Sequence, residues 1–309
     1  MRRKFLAIGE CMVELAEVDA GLYRRGFAGD TFNAAWYART ALGEDWTVGF
    51  ASCVGTDALS DEMVAFCMSQ GIDTSDLRRI AGATVGLYMI ALQNGERSFS
   101  YWRDTSAARR LADDADALDR AMSTATHIHL SGITAAILSP DGRRTLSAAL
   151  DRAREHGVSV SFDTNIRPRL WKSADAMRAG LESFARSADI VLPSFDEEAD
   201  VFGDTTPLVT IDRYRSLGVG TVVVKNGADP VEAWWRDEGF ASVPVVAARV
   251  VDTTAAGDSF AGTFLAARLK GRALVDAIKD AADVSARVIG ARGALVDLQS
   301  GGVDPDASS

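Results

Sequence analysis

The sequence predicts an α/β protein of three layers: a mostly parallel central sheet between two layers of helices, with a small second β-sheet attached. Three observations carry the prediction. Short apolar runs alternate with helical patterns through most of the 309 residues, which implies βαβ units and a parallel sheet covered on both faces. Two stretches, about 11–28 and 83–103, break this alternation with strand-like polar patterning and no helix behind them. Near the C-terminus, Val251-Asp252-Thr253-Thr254-Ala255-Ala256-Gly257-Asp258-Ser259-Phe260 leads small residues straight into a helical pattern.

In chain order, the strands of the main sheet are expected at 5–9, 48–53, 127–132, 158–163, 190–193 and 221–225. Helical spacing covers about 31–42, 141–156 and 173–186. Asn94-Gly95 between two strand-like runs is a hairpin turn signal. A sheet with one uncovered apolar face closes on a ligand or pairs with another copy. In the C-terminal helix, Phe260, Ala261, Phe264, Leu265, Ala267 and Leu269 recur on an amphipathic pattern, and Gly271 marks its end. The chain reads as one domain over 1–298 with a disordered tail at 299–309.

Hydrophobic content of 47% and charged content of 25% are those of a globular protein. A formal net charge of −10 excludes a nucleic-acid surface or an anionic membrane as the partner. Three cysteines, Cys11, Cys53 and Cys67, form no disulfide framework and point to a reducing, cytoplasmic setting. Glu10 and Glu14 interrupt the apolar start too early for a signal peptide, and no later stretch is long enough to span a membrane. His127 and His129 lie two apart with no third ligand nearby, so they read as strand-packing residues.

The chemistry concentrates around Asp258. Unhindered N–H groups of Ala255, Ala256 and Gly257, at the positive end of a helix, make an anion site. A carboxylate in the first turn is favoured by the same field, so Asp258 is expected to stay ionised and to accept a proton. Anion site and base together suit phosphoryl transfer to an alcohol. Upstream, Gly29, Asp30 and Asn33 precede or open a helix, where Asp30 or Thr31 could also serve as an N-cap. Asp and Asn side chains suit sugar hydroxyls. Arg103, after Tyr101, and Arg167, after a parallel strand, are two guanidinium groups from separate segments that suit a carboxylate.

The C-terminal run resembles the D-T-x-G-A-G-D-x-F signature of the ribokinase (PfkB) family of carbohydrate kinases. Ala255 stands where most members have the first glycine, which requires a negative φ or a small local strain. Gly26-Phe27-Ala28-Gly29-Asp30-Thr31-Phe32-Asn33 resembles the family's N-terminal glycine signature, with Ala28 in place of its first glycine. The resemblance implies a ribokinase-like fold whose β lid covers the sugar and often makes a dimer contact. It implies Asp258 as base, with Ala255, Ala256 and Gly257 binding the transferring phosphate. The segments Gly9 to Leu15, Arg25 to Thr31, Tyr101-Trp102-Arg103, Ser131-Gly132-Ile133, Ala136 to Pro140 and Arg167 to Trp171 are similar to the family's 2-keto-3-deoxygluconate kinases, over about residues 5–295.

By that implication Gly29, Asp30 and Asn33 contact sugar hydroxyls, while Tyr88, Tyr101, Arg103 and Arg167 line the keto-acid end. Asn165, Ser194, Lys225, Gly227 and Gly257 are implied on the nucleotide side. Ser194-Phe195-Asp196-Glu197 stands at the family's N-x-x-E motif, so Glu197 is implied to hold Mg2+ through water, beside an acidic helix start otherwise read as surface. The nucleotide loop departs from the family pattern after Gly227, where Asp229-Pro230 follow Ala228. The implied cofactors are ATP and Mg2+. Some relatives add a monovalent cation near the backbone of 252–254 and 288–293. The expected activity is ATP-dependent phosphorylation of the C6 hydroxyl of the sugar acid. A kinase for fructose or another keto-sugar acid and a non-catalytic sugar-acid sensor are the alternatives. No Walker G-x-x-x-x-G-K-[ST] or G-x-G-x-x-G occurs, which argues against the P-loop and dinucleotide routes.

Overall fold

The computed structural model describes residues 3–19, 21–93 and 96–298, the side chains of 92, 93, 96 and 97 excepted. The Asn94-Gly95 turn and the 299–309 tail lie outside the described residues.

The main sheet starts from β1 (Arg3–Ile8), which lies between β4 (Trp46–Val54) and β8 (His127–Ser131), parallel to both. β4 continues to β5 (Leu77–Arg79) on one side. On the other, β8 continues through β9 (Ser159–Asp163), β10 (Ile190–Val191) and β11 (Thr221–Val224), all parallel. An antiparallel hairpin of β12 (Val231–Trp235) and β13 (Gly239–Val243) closes that edge, giving nine strands in all. The sheet is as parallel as the alternation of apolar runs and helices predicts, apart from this hairpin.

Alternation along β1 divides the core. Leu6 and Ile8 enter one hydrophobic cluster and Phe5 and Ala7 the other, because successive strand side chains point to opposite faces. The first layer contains α3 (Ala115–Ser123), α4 (Gly132–Ile137), α5 (Pro140–Glu155), α6 (Ala174–Arg186), α7 (Phe195–Phe202) and α8 (Pro207–Ser216). The second contains α1 (Asp30–Ala41), α2 (Ala58–Ser69), α9 (Ala256–Leu269) and α10 (Leu274–Ile289). α9 is not amphipathic as expected: Ser259 to Ala267 are all buried, because α1, α10 and the sheet enclose it. Gly262 lets α1 pass close, since a Cβ there would lie 2.2 Å from the Ala34 carbonyl oxygen.

The second sheet is the expected lid. β2 (Met12–Asp19) pairs antiparallel with β3 (Leu22–Ala28) and parallel with β6 (Leu87–Gln93), which pairs antiparallel with β7 (Glu96–Trp102). Its inner residues Met12, Ala28, Tyr88 and Ile90 form a small cluster with Ala294, and Ala255 packs against it. Val18, Leu22, Tyr23, Phe99, Tyr101 and Trp102 remain exposed. The two strand histidines pack as predicted. They stack on Phe5 at centroid distances of 5.5 and 6.2 Å and share the Ser161 hydroxyl at 2.8 and 2.9 Å. Burial pushes His127 down to about 4 and His129 down to about 3, so both are neutral at physiological pH.

Candidate active site

The carboxyl ends of β1, β8, β9 and β11 lie at one edge of the parallel sheet, where α/β folds bind ligands. The start of α9 meets that edge. Ala255 is the helix N-cap with φ 60° and ψ 15°, so the negative-φ alternative is overturned. The left-handed conformation costs an alanine about 1–2 kcal/mol. The turn therefore retains the shape a glycine would give, at the expense of local strain.

The three expected anion donors are not equivalent. Ala256 N–H donates to the Thr253 carbonyl at 3.2 Å and is spent within the turn. The N–H groups of Ala255 and Gly257 have no partner among the described residues. Lys225 reinforces the site: its Nζ would lie 3.3 Å from a Cβ on Gly257. The same ammonium donates to Asp163 Oδ2 at 2.6 Å. Burial raises the Asp163 carboxyl, an effect that Lys225 opposes. Gly227 takes φ 60° in the loop after Lys225, and Asp229 N–H closes a turn onto the Asn226 carbonyl at 3.0 Å, directly before β12.

Asp258 Oδ2 accepts from Asn33 Nδ2 at 2.8 Å. Its pKa is pushed up to about 7, first by burial and then by the charge of Asp30, with the Asn33 bond and Lys225 opposing. The expectation of a permanently ionised carboxylate is thus corrected. Desolvation and a like charge outweigh the helix field, and the group sits where a general base works best. Asp30 does not cap α1 either. Gly29 is the N-cap, with no side-chain capping bond, and Asp30 Oδ2 accepts from Asn165 Nδ2 at 2.8 Å. A Cβ on Gly29 would lie 2.1 Å from the Glu10 carbonyl oxygen, so only glycine lets β3 reach α1 there.

Of the two arginines, Arg167 is half-exposed and donates to Glu197 Oε1 at 2.6 Å. Glu197 Oε2 accepts Ile166 N–H at 2.9 Å, so this carboxylate organises the loop after β9. Arg103 is buried and bonded to Glu10, which also accepts from Ser106. The Arg103 Nε has no acceptor among the described residues. Tyr88 is buried, donates to Glu14 and stacks with the exposed Tyr101 at 5.9 Å. Ser194 bridges to Lys225 through the backbone but makes no side-chain cap for α7.

Glu198 is not a surface acid. It is fully buried, bonded by Arg213 Nη2 at 2.7 Å and Tyr214 Oη at 3.1 Å. Phe195, Glu198 and Phe202 share one helical face, so spacing could have placed Glu198 inward. Sequence reading also passed over Asp163 and Glu10, both acids at the ends of buried strands. No group of three or more His, Cys, Asp or Glu residues among those described could hold a metal ion. Magnesium bound mostly by phosphates and water needs no such cage.

The start of α9, with Asp258 bonded by Asn33, therefore lies against the inner cluster of the second sheet. Residues 2–300 match the pfkB family carbohydrate kinase, and the chain belongs to that family. It is 38% identical over 307 residues to 2-dehydro-3-deoxygluconokinase of Escherichia coli K12, covering 97% of this chain and 99% of that one. The enzyme of the same name from Dickeya dadantii is 37% identical over 300 residues, covering 95% and 96%. Among solved structures, a PfkB protein from Polaromonas sp. JS666 superposes with TM-score 0.82 at 30% identity, covering 93% and 96%. A 2-dehydro-3-deoxygluconokinase from Thermotoga maritima shares the fold, with TM-score 0.81 at 21% identity over 96% and 95%.

Proposed function

We propose that this kinase transfers the γ-phosphoryl group of ATP to the C6 hydroxyl of 2-keto-3-deoxygluconate (2-dehydro-3-deoxygluconate). The observation that carries the reading is the placement of Asp258, pushed up to about 7, beside amides at the start of α9 that have no partner among the described residues. The near full-length likeness to two enzymes of that name supports the substrate.

In this reading Asp258 takes the hydroxyl proton as the oxygen attacks the γ-phosphorus. The new O–P bond forms as the bond to the β-phosphate oxygen breaks, and ADP leaves. The Ala255 and Gly257 amides and Lys225 receive the charge on the transferring group, whose stabilisation is the main catalytic demand of phosphoryl transfer. Asn33 holds the Asp258 carboxylate in line, and Gly29 and Asp30 meet sugar hydroxyls. Arg167 and the unspent Arg103 Nε grip the substrate carboxylate, with Tyr88 and Tyr101 walling that end. Asn165, Ser194 and Gly227 lie on the nucleotide side. Glu197 would hold magnesium through water, where the ion would neutralise phosphate charge, and Asp163 lies close enough to feel the charge of Glu197.

A monovalent cation beside 252–254 and 288–293 belongs to the same reading. Asp252 already ties these segments, accepting from Thr254 N–H at 2.9 Å and Gly293 N–H at 2.8 Å. Dimerisation through the lid is supported by its exposed Tyr23, Phe99, Tyr101 and Trp102. A cytoplasmic setting is supported by three free, buried cysteines. No helix among the described residues is long and apolar enough to cross a membrane.

The test is ADP release with magnesium and ATP on 2-keto-3-deoxygluconate, its galactonate epimer, fructose and ribose. Preference for the keto acids is expected. Turnover of a neutral sugar alone would retain the kinase and remove the carboxylate grip, and no turnover on any of them would favour a sugar-acid sensor.

A further inference from the structure

A cavity of about 370 Å³ opens at the edge of the sheet opposite the catalytic cleft. His127 and Thr221, which begin β8 and β11, form its floor with Asp189. Trp235, Arg236 and Asp237, at and just after the end of β12, and Arg268, in the last turn of α9 and 3.9 Å from the Glu238 carboxylate, line the polar and aromatic wall. The cavity and Asp258 therefore sit at opposite ends of one 14-residue helix, ~21 Å long at the α-helical rise. The volume lies at the low end for small-molecule sites.

Two lining residues carry buried polar atoms without partners among the described residues. The Arg268 guanidinium lies 3.6 Å over the Trp235 ring, and its Nε has no acceptor among the described residues. The His127 Nδ1 likewise has no partner among them. Ser161 Oγ lies 2.8 Å from His127 Nε2 and 2.9 Å from His129 Nδ1, and its one proton can go to either ring or to the Ile128 carbonyl at 3.3 Å. In either tautomer Nδ1 can bond a hydroxyl, which both donates and accepts. Arg154 and the Val160 N–H hold the Asp189 carboxylate, which offsets part of its repulsion of an anion. Arg236 spends one nitrogen on the Gly218 carbonyl at 3.1 Å.

Buried polar atoms left without a bond cost free energy, and one ligand can bond both. We propose that this cavity binds a small hydroxylated anion, its negative group on Arg268 and Arg236 and a hydroxyl on His127. Ile190, Leu265 and Leu269 supply the apolar contact for its carbon skeleton.

The test is titration calorimetry on the full chain with the catalytic cleft filled by magnesium and a non-hydrolysable ATP analogue. The probes are phosphoglycerate and phosphonooxypropanoate, which lacks only the hydroxyl. Saturable binding of phosphoglycerate is expected, weakened about ten- to a hundredfold by Arg268→Met. His127→Phe should bring phosphoglycerate down to the level of its hydroxyl-free analogue. Arg236→Met, at the rim, gives a second reading if Arg268→Met does not fold. Absence of saturable binding, or equal binding by wild type and both arginine variants, overturns the site. A His127→Phe effect equal for both probes overturns the hydroxylated class. Because the substitutions lie at the far end of α9 from Asp258, these outcomes do not depend on the identity of the sugar acid.

Discussion

Asp258 and Glu198 are both carboxylic acids withdrawn from bulk water with raised pKa, yet the protein uses them in opposite ways. Glu198 faces Arg213 and Tyr214, and Arg213 also holds Asp204 at 2.7 Å. Every charge there has a counter-charge or a donor, and the cluster pins α7 to α8. Around Asp258 the nearest influences are another carboxylate, Asp30, and one amide, Asn33. Nothing neutralises it fully. A satisfied buried acid contributes to structure, whereas an unsatisfied one retains the free energy to take a proton.

The largest consequence of this contrast is in Asp258→Asn, expected to lose roughly 10²–10⁴-fold in turnover. The same variant should be more thermostable than wild type near neutrality. Because the folded pKa of about 7 exceeds that of the unfolded chain, the native state binds the extra proton, and stability falls as pH rises between the two values. Melting temperatures measured from pH 4 to pH 8 should therefore converge at the acid end and separate at the neutral end. A variant that melts lower than wild type at pH 8 would contradict the assignment of strain to the base.

Arg213→Met is the converse. Leaving Glu198 without its cation should cost about 3–5 kcal/mol in urea unfolding, with kcat/KM per folded molecule little changed. A smaller effect follows in the pH dependence of kcat/KM, whose acid limb in wild type should have its midpoint near 7. Asp30→Asn removes a repelling charge and should move that midpoint down. Asn33→Ala removes the bond that favours the ionised form and should move it up. Shifts in the same direction would mean the limb belongs to another group. The smallest effect is in Ala255→Gly, expected to stabilise by about 0.5–1 kcal/mol, since relief of left-handed strain is partly offset by a more flexible unfolded chain. Thermal unfolding would detect it.

Much of the candidate site could be proposed from the sequence. Asp258 announced itself through the small residues ahead of it, and Gly29, Asp30 and Asn33 through their place before a helix. The environment of those residues was not readable. Asp30 lies 228 positions from Asp258 in the sequence, and its charge on the base exists only because α1 and α9 pack together. The free amides could not be told from the spent one, since the Ala256 bond to Thr253 depends on the turn that Ala255 adopts. Arg103 looked like Arg167 along the chain, but the lid buries the first against Glu10 and leaves the second half-exposed beside Glu197.

By itself the sequence determined the layers, the parallel sheet and the small second sheet, and it pointed to Asp258 as the proposed base, because local periodicity and turn chemistry act over a few residues. Only the tertiary structure decided which charges meet. It set the proton affinity of Asp258, the inward turn of Glu198 and the partners of both arginines. It also placed His127 and Arg268 in the wall of one cavity at the far edge of the sheet. Desolvation and Coulomb energy depend on distance in space, and distance along the chain does not specify it.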